Sequence, residues 1–314
     1  MCLYPKLIKN RKYTATKKNK GIIPELKDKR AEYVPVGCGK CIECMKQKAR
    51  SWYIRLQEEI KVNKTGKFVT LTFSNEYIYK LSENLKSEGY NLDNDICKIA
   101  VRRFLERWRK KHKKSVKHWL VSEIGGHGSE NIHLHGIIFT DNVKDIKEIW
   151  KYGYVFIGDY VNCKTISYIT KYITKTDVKH KYYTQIVLCS PGIGSNYINS
   201  HNAKNNIYKG KDTNEFYKNQ QGYKMNLPIY YRNNIYNDNE KENLWLMKLD
   251  KNIRYVCGEK IDVSITDDNY YNVLNFHQKR NKILGYGDDK KDWNQKLYEN
   301  QKRNLKIKER IKKR

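Results

Sequence analysis

The stretch from His133 to Lys175 constrains this chain more than any other. It opens His133-Leu-His-Gly-Ile-Ile-Phe, which suits a strand, and closes Tyr168-Ile-Thr-Lys-Tyr-Ile-Thr-Lys, whose four-residue echo suits a helix. Along a strand successive side chains alternate between faces, so His133 and His135 share one side and Leu134 takes the other. Two imidazoles so placed make half a metal site. On a helix, residues four apart lie one above the other, which pairs Tyr168 with Tyr172 and sets Lys171 and Lys175 in a ridge beside them. The same spacing also suits a packing stripe of Tyr168, Ile169, Tyr172 and Ile173, and two histidines can sit on a half-exposed strand without binding anything.

Charge narrows the partners. The 314 residues carry a formal net charge of +29, an excess that a polyanion binder tolerates and a small-molecule enzyme rarely needs. The 26 Tyr and 6 Trp interleave with Lys and offer stacking surfaces for bases, so DNA or RNA is the first partner to expect. No apolar run approaches the roughly 20 residues that cross a bilayer, and Met1-Cys-Leu-Tyr-Pro-Lys has no signal-peptide core, so a cytoplasmic location without membrane contact is expected. The eight cysteines are then thiols or metal ligands rather than disulfides.

Residues 1–62 read as a basic, Pro-punctuated arm followed by a cysteine knuckle and a helix. Cys38-Gly-Lys-Cys-Ile-Glu-Cys44 runs into the helical stripe Met45, Ala49, Trp52, Tyr53, Leu56 and Ile60. Cysteines at two-residue spacings hold Zn(II) when a fourth ligand closes the tetrahedron, and Cys2 is the candidate for that position. Reduced buried thiols and an iron–sulfur cluster are the competing readings of Cys2, Cys38, Cys41 and Cys44. Cys97, Cys163, Cys189 and Cys257 stand alone.

Residues 63–190 hold the patterned part. Lys67 to Phe73 alternates as a half-buried strand. Ile96 to Lys114 is an amphipathic helix, with Gly89 in the loop before it. His118–Ile124 and Ile132–Phe139 form a hairpin across a Gly-rich connection. With Ile124 opposite Ile132, Glu123 faces His133, and parity brings Glu123, His133 and His135 to one side. Asp141 or Asn142 starts a short helix, Tyr154–Gly158 is a strand, and Lys164–Thr176 is the tyrosine helix. The order predicts an α+β fold on the split βαβ plan of ferredoxin-like and RRM-like palms: an antiparallel sheet with helices on one face. Residues 191–314 read as a basic extension, with Met225–Arg232 extended, a short helix near Asn243–Leu249, and a charged tail from Lys290.

Two imidazoles and a carboxylate suit Mg(II) or Mn(II), and an ion there polarises a phosphoryl oxygen. His127, in the Gly-rich connection, competes with Glu123 as third ligand. A phenol attacking the phosphorus, helped by ammonium groups of Lys171 or Lys175, leaves a 5′-phosphotyrosine and a free 3′-OH. Gly136 is expected to keep the backbone slim where a DNA strand approaches.

Three motifs in this order resemble the HUH superfamily of single-strand endonucleases: Phe68-Val-Thr-Leu-Thr, His133-Leu-His-Gly and the two-tyrosine helix. With Met1-Cys-Leu-Tyr-Pro and the block Cys38 to Trp52, the chain is most similar to the rolling-circle replication initiators of gokushovirus-type microvirus phages. The resemblance covers residues 1–176. It implies a metal on His133 and His135 with Glu123 at the acidic position, and Tyr168 and Tyr172 as covalent nucleophiles. It further implies a nickase that rejoins strands, acts on the replicative-form origin and on single-stranded DNA, and works with host helicase and polymerase in the bacterial cytoplasm. Those phage proteins tend to have Arg-Pro where this chain has Asn131-Ile132, which leaves the third ligand open between Glu123 and His127. A two-tyrosine transposase or relaxase, and a basic DNA-binding module without catalysis, are the alternatives.

Overall fold

A computed structural model describes residues 2–17, 19–126, 130–176, 179–180 and 183–287. The chain divides into two compact units. One combines residues 1–47, 204–216 and 229–314, and the other combines 48–203 and 217–228. These limits cut across an arm, a central domain and an extension, because the segments after 203 return to pack with the N-terminal residues.

In chain order, β1 (Lys6–Lys9) and β2 (Tyr33–Val36) pair antiparallel, and α1 (Ile42–Val62) crosses the boundary between the units. The second unit continues with β3 (Gly66–Thr72), α2 (Asn75–Ser82), α3 (Gly89–His112), β4 (Lys117–Ile124) and β5 (Ile132–Phe139). It is completed by α4 (Val143–Ile149), β6 (Val155–Ile157), α5 (Cys163–Lys171) and β7 (Val187–Cys189). Among the described residues the main sheet has five strands in the order β6-β3-β5-β4-β7, every neighbour antiparallel. The fold is therefore a mixed α+β one built on antiparallel pairing.

Alternation in β3 sends Val69 and Leu71 into a core completed by Leu120, Ile124, Ile132, Leu134 and Ile138. On this face lie α3, through Ile96, Ala100, Phe104 and Trp108, and α4, through Ile146 and Ile149. α3 ends where Lys113 turns left-handed at φ 60°, after a basic last turn that suits the negative end of the helix dipole. The opposite face is covered as well. Trp52 of α1 packs edge-on against Trp119 of β4 at 5.8 Å, and Tyr168 of α5 does the same against Phe68 of β3 at 6.1 Å. Helices thus flank both faces, not one. The Trp and Phe on the second face are too large to leave in water, and the helix that covers Trp119 is the one the sequence places in the arm.

Gly136 has a different reason from the one expected. A Cβ there would meet the Trp119 carbonyl oxygen at 2.0 Å, so the glycine lets β4 and β5 approach each other. A buried network seats β7: Tyr183 donates to Ser122 Oγ at 2.6 Å, which accepts from the Ile186 amide at 3.0 Å.

The remaining elements are β8 (Phe216–Lys218), β9 (Lys224–Asn226), α6 (Ile229–Ile235), α7 (Asp238–Asp250), β10 (Ile253–Val256), β11 (Glu259–Asp262) and α8 (Asp268–Ile283). Three segments differ from expectation. Residues 1–37, irregular by sequence, contain the β1–β2 ribbon and bury Leu3, Tyr4, Tyr13 and Ala31. Residues 229–232, extended by sequence, start α6 directly after Pro228. α3 starts at Gly89 rather than near Ile96. The charged tail from Lys290 lies outside the described residues. In the first unit Asn281 of α8 accepts from the Ile42 amide at 2.8 Å, which satisfies an orphan N–H at the start of α1.

Candidate active site

The hairpin register is the expected one: Ile124 pairs with Ile132, and Glu123 sits directly across from His133. β3 runs along the other side of β5, pairing Thr70 with His135. Parity therefore collects Glu123, His133, His135 and Thr70 on one face.

His135 is the best-determined member. Its Nδ1 lies 3.0 Å from Thr70 Oγ1, a contact that orients the ring and leaves Nε2 facing the cluster. That Nε2 is buried, has no hydrogen-bond partner, and lies 2.9 Å from Glu123 Oε2. The separation meets the ion-pair distance, yet the angle does not suit an N–H donor. Two ligand atoms lie side by side instead of bonding each other. His133 lies beyond, its ring centroid 6.3 Å from that of His135. Burial and the neighbouring His135 push the His133 imidazole below its ordinary value against the opposing pull of Glu123, which favours the neutral, ligating form. Glu123 is held below the usual carboxylate range: burial raises it, and the contacts with His135 and Lys175 outweigh that. Mixed nitrogen and oxygen donors with an orphaned buried Nε2 fit a divalent cation.

α5 is fixed by a capping box, the Asn162 side chain accepting from the Thr165 amide while Thr165 Oγ1 accepts from the Asn162 amide. This carries Tyr168 and Tyr172 to the histidines. The Tyr172 ring stacks on the His135 imidazole with centroids 4.3 Å apart and planes 2° from parallel. Its hydroxyl donates to the Tyr168 hydroxyl at 2.6 Å. Tyr172 is 8% exposed and Tyr168 49%. Burial, the hydrogen bond to Tyr168 and the charge of Glu123 together push the Tyr172 phenol well above its ordinary value. Lys175 ion-pairs with Glu123, its ammonium 5.6 Å from the centre of the Tyr172 ring. Lys171 is exposed at the last position of α5, and Lys175 is the lysine that reaches the cluster. His127 lies outside the described residues.

Sequence reasoning gives Thr70 and Phe68 no role in the site. Phe68 forms the floor against Tyr168, Thr70 steers His135, and their parity with Thr72 along β3 was the available signal.

A second cluster lies in the other unit. Cys2, Cys38, Cys41 and Cys44 bring their sulfurs within 4.8 Å of one another.

A family model for the replication-associated protein ORF2 matches residues 66–177, the segment from β3 through α5 that holds the Glu–His–Tyr cluster. The chain is also 22% identical over 302 residues to the replication-associated protein ORF4 of Chlamydia phage 1, across 81% of this chain and 69% of that one. The similarity is to phage replication-associated proteins. No solved structure matches the chain. Among the described residues no helix is long and apolar enough to cross a membrane.

Proposed function

We propose that this protein initiates rolling-circle replication of a small phage genome by nicking one DNA strand with a tyrosine and later rejoining it. The observation that carries the reading is the Tyr172 ring stacked on His135, with the Tyr168 hydroxyl hydrogen-bonded beside it, over a face that also holds Glu123 and His133. We read the sheet as a split βαβ palm: β3-α3-β4 and β5-α4-β6 with β3 and β5 central, and β7 added beside β4.

His133, His135 and Glu123 would hold Mg(II) or Mn(II). Bound there, the ion supplies polarisation of a phosphoryl oxygen and offsets charge in the transition state. Tyr168 is the phenol that a strand reaches without rearrangement, since half its surface is open. Its oxygen attacks phosphorus, the bond to the 3′ oxygen breaks, the phenolic proton passes to solvent, and the departing 3′ oxygen takes up a proton. By accepting the Tyr172 hydroxyl's hydrogen, Tyr168 has a donor in place for the negative charge its oxygen carries. Tyr172 becomes available once its ring leaves His135, and then attacks a second junction while the first 3′-OH reverses the Tyr168 linkage. Lys175 is a counter-ion to Glu123 that must move aside when a cation binds. The partners of this activity are origin DNA in the host cytoplasm and the host helicase and polymerase.

The test is to incubate the full chain with labelled single strands tiling its own genome, with Mn(II). A conjugate that survives denaturation and maps to Tyr168 or Tyr172 supports nicking. Chelator should abolish it and excess Mn(II) restore it. Tyr168→Phe combined with Tyr172→Phe should bind DNA and form none. A conjugate that persists in the double variant would refute the assignment. No conjugate from wild type on any strand would favour a DNA-binding module without catalysis.

A further inference from the structure

We infer that Cys2, Cys38, Cys41 and Cys44 form a closed structural zinc site that ties the beginning of the chain to its C-terminal elements. Nothing in the nicking chemistry needs it, and it stands or falls without that reading.

The spacing alone admits reduced thiols or an iron–sulfur cluster, and the geometry chooses among them. The sulfurs of Cys38 and Cys44 lie 4.0 Å apart and those of Cys2 and Cys41 3.9 Å apart, with all four inside 4.8 Å. A single ion with Zn–S bonds of about 2.3 Å sets tetrahedral sulfurs roughly 3.8 Å apart. A multi-iron cluster, with its ligands on different irons, needs wider spacing. No pair is near the ~2.05 Å of a disulfide.

The backbone is arranged for thiolates. Cys2 Sγ accepts from the amides of Tyr4 and Cys38, both at 3.2 Å. Cys38 Sγ accepts from Lys40 at 3.4 Å and Cys41 at 3.3 Å, and Cys41 Sγ accepts from Leu3 at 3.5 Å. A neutral thiol is a weak acceptor, so five amides aimed at three sulfurs make sense when those sulfurs carry charge. The knuckle turns at Gly39, whose φ of +80° is the left-handed region that glycine occupies without strain. Gly37 backs onto the site, since a Cβ there would come within 3.0 Å of Cys44 Sγ. Four protein sulfurs leave no open position, so the role is structural.

That role follows from what surrounds the cluster. Cys41 is fully buried in a small apolar core with Leu3, Tyr4, Val256, Ile261, Tyr270 and Leu274, against which Cys2, Cys38 and Cys44 pack. So few side chains bury little surface. A metal that binds the folded form alone adds its binding energy to folding. Each cysteine gives up its proton on binding, so acid releases the ion.

The full chain, purified in reducing buffer without added metal or chelator, should contain about one zinc per molecule by elemental mass spectrometry. Mercurial titration should release it as four thiols react. Cobalt substitution should give the thiolate charge-transfer bands of a tetrahedral site. Cys41→Ser and Cys44→Ser should lose the metal, and Cys163→Ser should keep it. If the serine variants do not fold, titration and cobalt on the wild type decide. A folded chain without metal whose four thiols alkylate freely, a visible iron spectrum, or zinc retained in Cys41→Ser would each overturn the site.

Discussion

Tyr168 and Tyr172 are one helical turn apart in sequence and differ in surroundings, one half exposed against Phe68 and the other nearly buried on His135. Tyr172→Phe keeps the ring and removes the hydroxyl that donates to Tyr168, so it should lower stability by about 1 kcal/mol. Tyr172→Ala removes the ring as well and should cost roughly 3 kcal/mol, in the range of buried aromatic truncations. Urea midpoints at unchanged slope measure both, and equal losses would mean that the stack contributes nothing. Gly136→Ala is severe for a different reason. Its Cβ would meet backbone, the Trp119 carbonyl, which no rotamer change relieves. We expect a cost of about 3 kcal/mol or more, read as loss of folded protein, while Gly126→Ala, with open space around it, should be mild. The identities of the candidate ligands and phenols were legible because strand parity and helical spacing are local rules. The stacking of Tyr172 on His135 was not, because it depends on how α5 crosses the sheet.

At the scale of elements, the β4–β5 hairpin was legible down to its register, since a one-residue slip would have turned Leu134 and Ile132 out of the core. The edge pairing was not. β7 is three residues long, and it is placed by Ser190, whose Oγ lies 3.0 Å from His118 Nδ1 and whose amide donates to the His118 carbonyl at 2.9 Å. Burial pushes the His118 imidazole below its ordinary value, against the raising effect of the Val116 carbonyl. Between the depressed folded value and the ordinary one near 6.5, the unfolded chain binds more protons than the folded one. The stability from this residue is therefore complete above about pH 6.5 and lost as pH falls through the folded value. The urea midpoint should drop between pH 7.5 and pH 5, and His118→Leu should blunt the drop; an unchanged pH dependence would show that another group titrates. α2 and α6 were missed because helices of eight and seven residues span too few turns for a period to stand out.

At the scale of the molecule, a formal charge of +29 makes DNA binding an ion-release reaction. The logarithm of the binding constant for single strands should fall linearly with that of salt, by about 0.7 per phosphate contacted. A flat dependence would mean that the charge serves another purpose. Stripping zinc should raise hydrogen exchange in β10, β11 and α8 and leave the strands of the main sheet protected. Uniform protection after stripping would deny the metal a structural role. By itself the sequence determined the α+β class, the hairpin register, the shared face of Glu123, His133 and His135, and the cysteine spacing, because each follows from residues close along the chain. Only the tertiary structure decided that helices cover both faces and that Tyr172 rather than Tyr168 lies on His135. It alone brought Cys2 to the knuckle and packed the cysteines against α8. These are contacts between distant segments, chosen by which apolar surfaces fit together, and no period in a single chain records them.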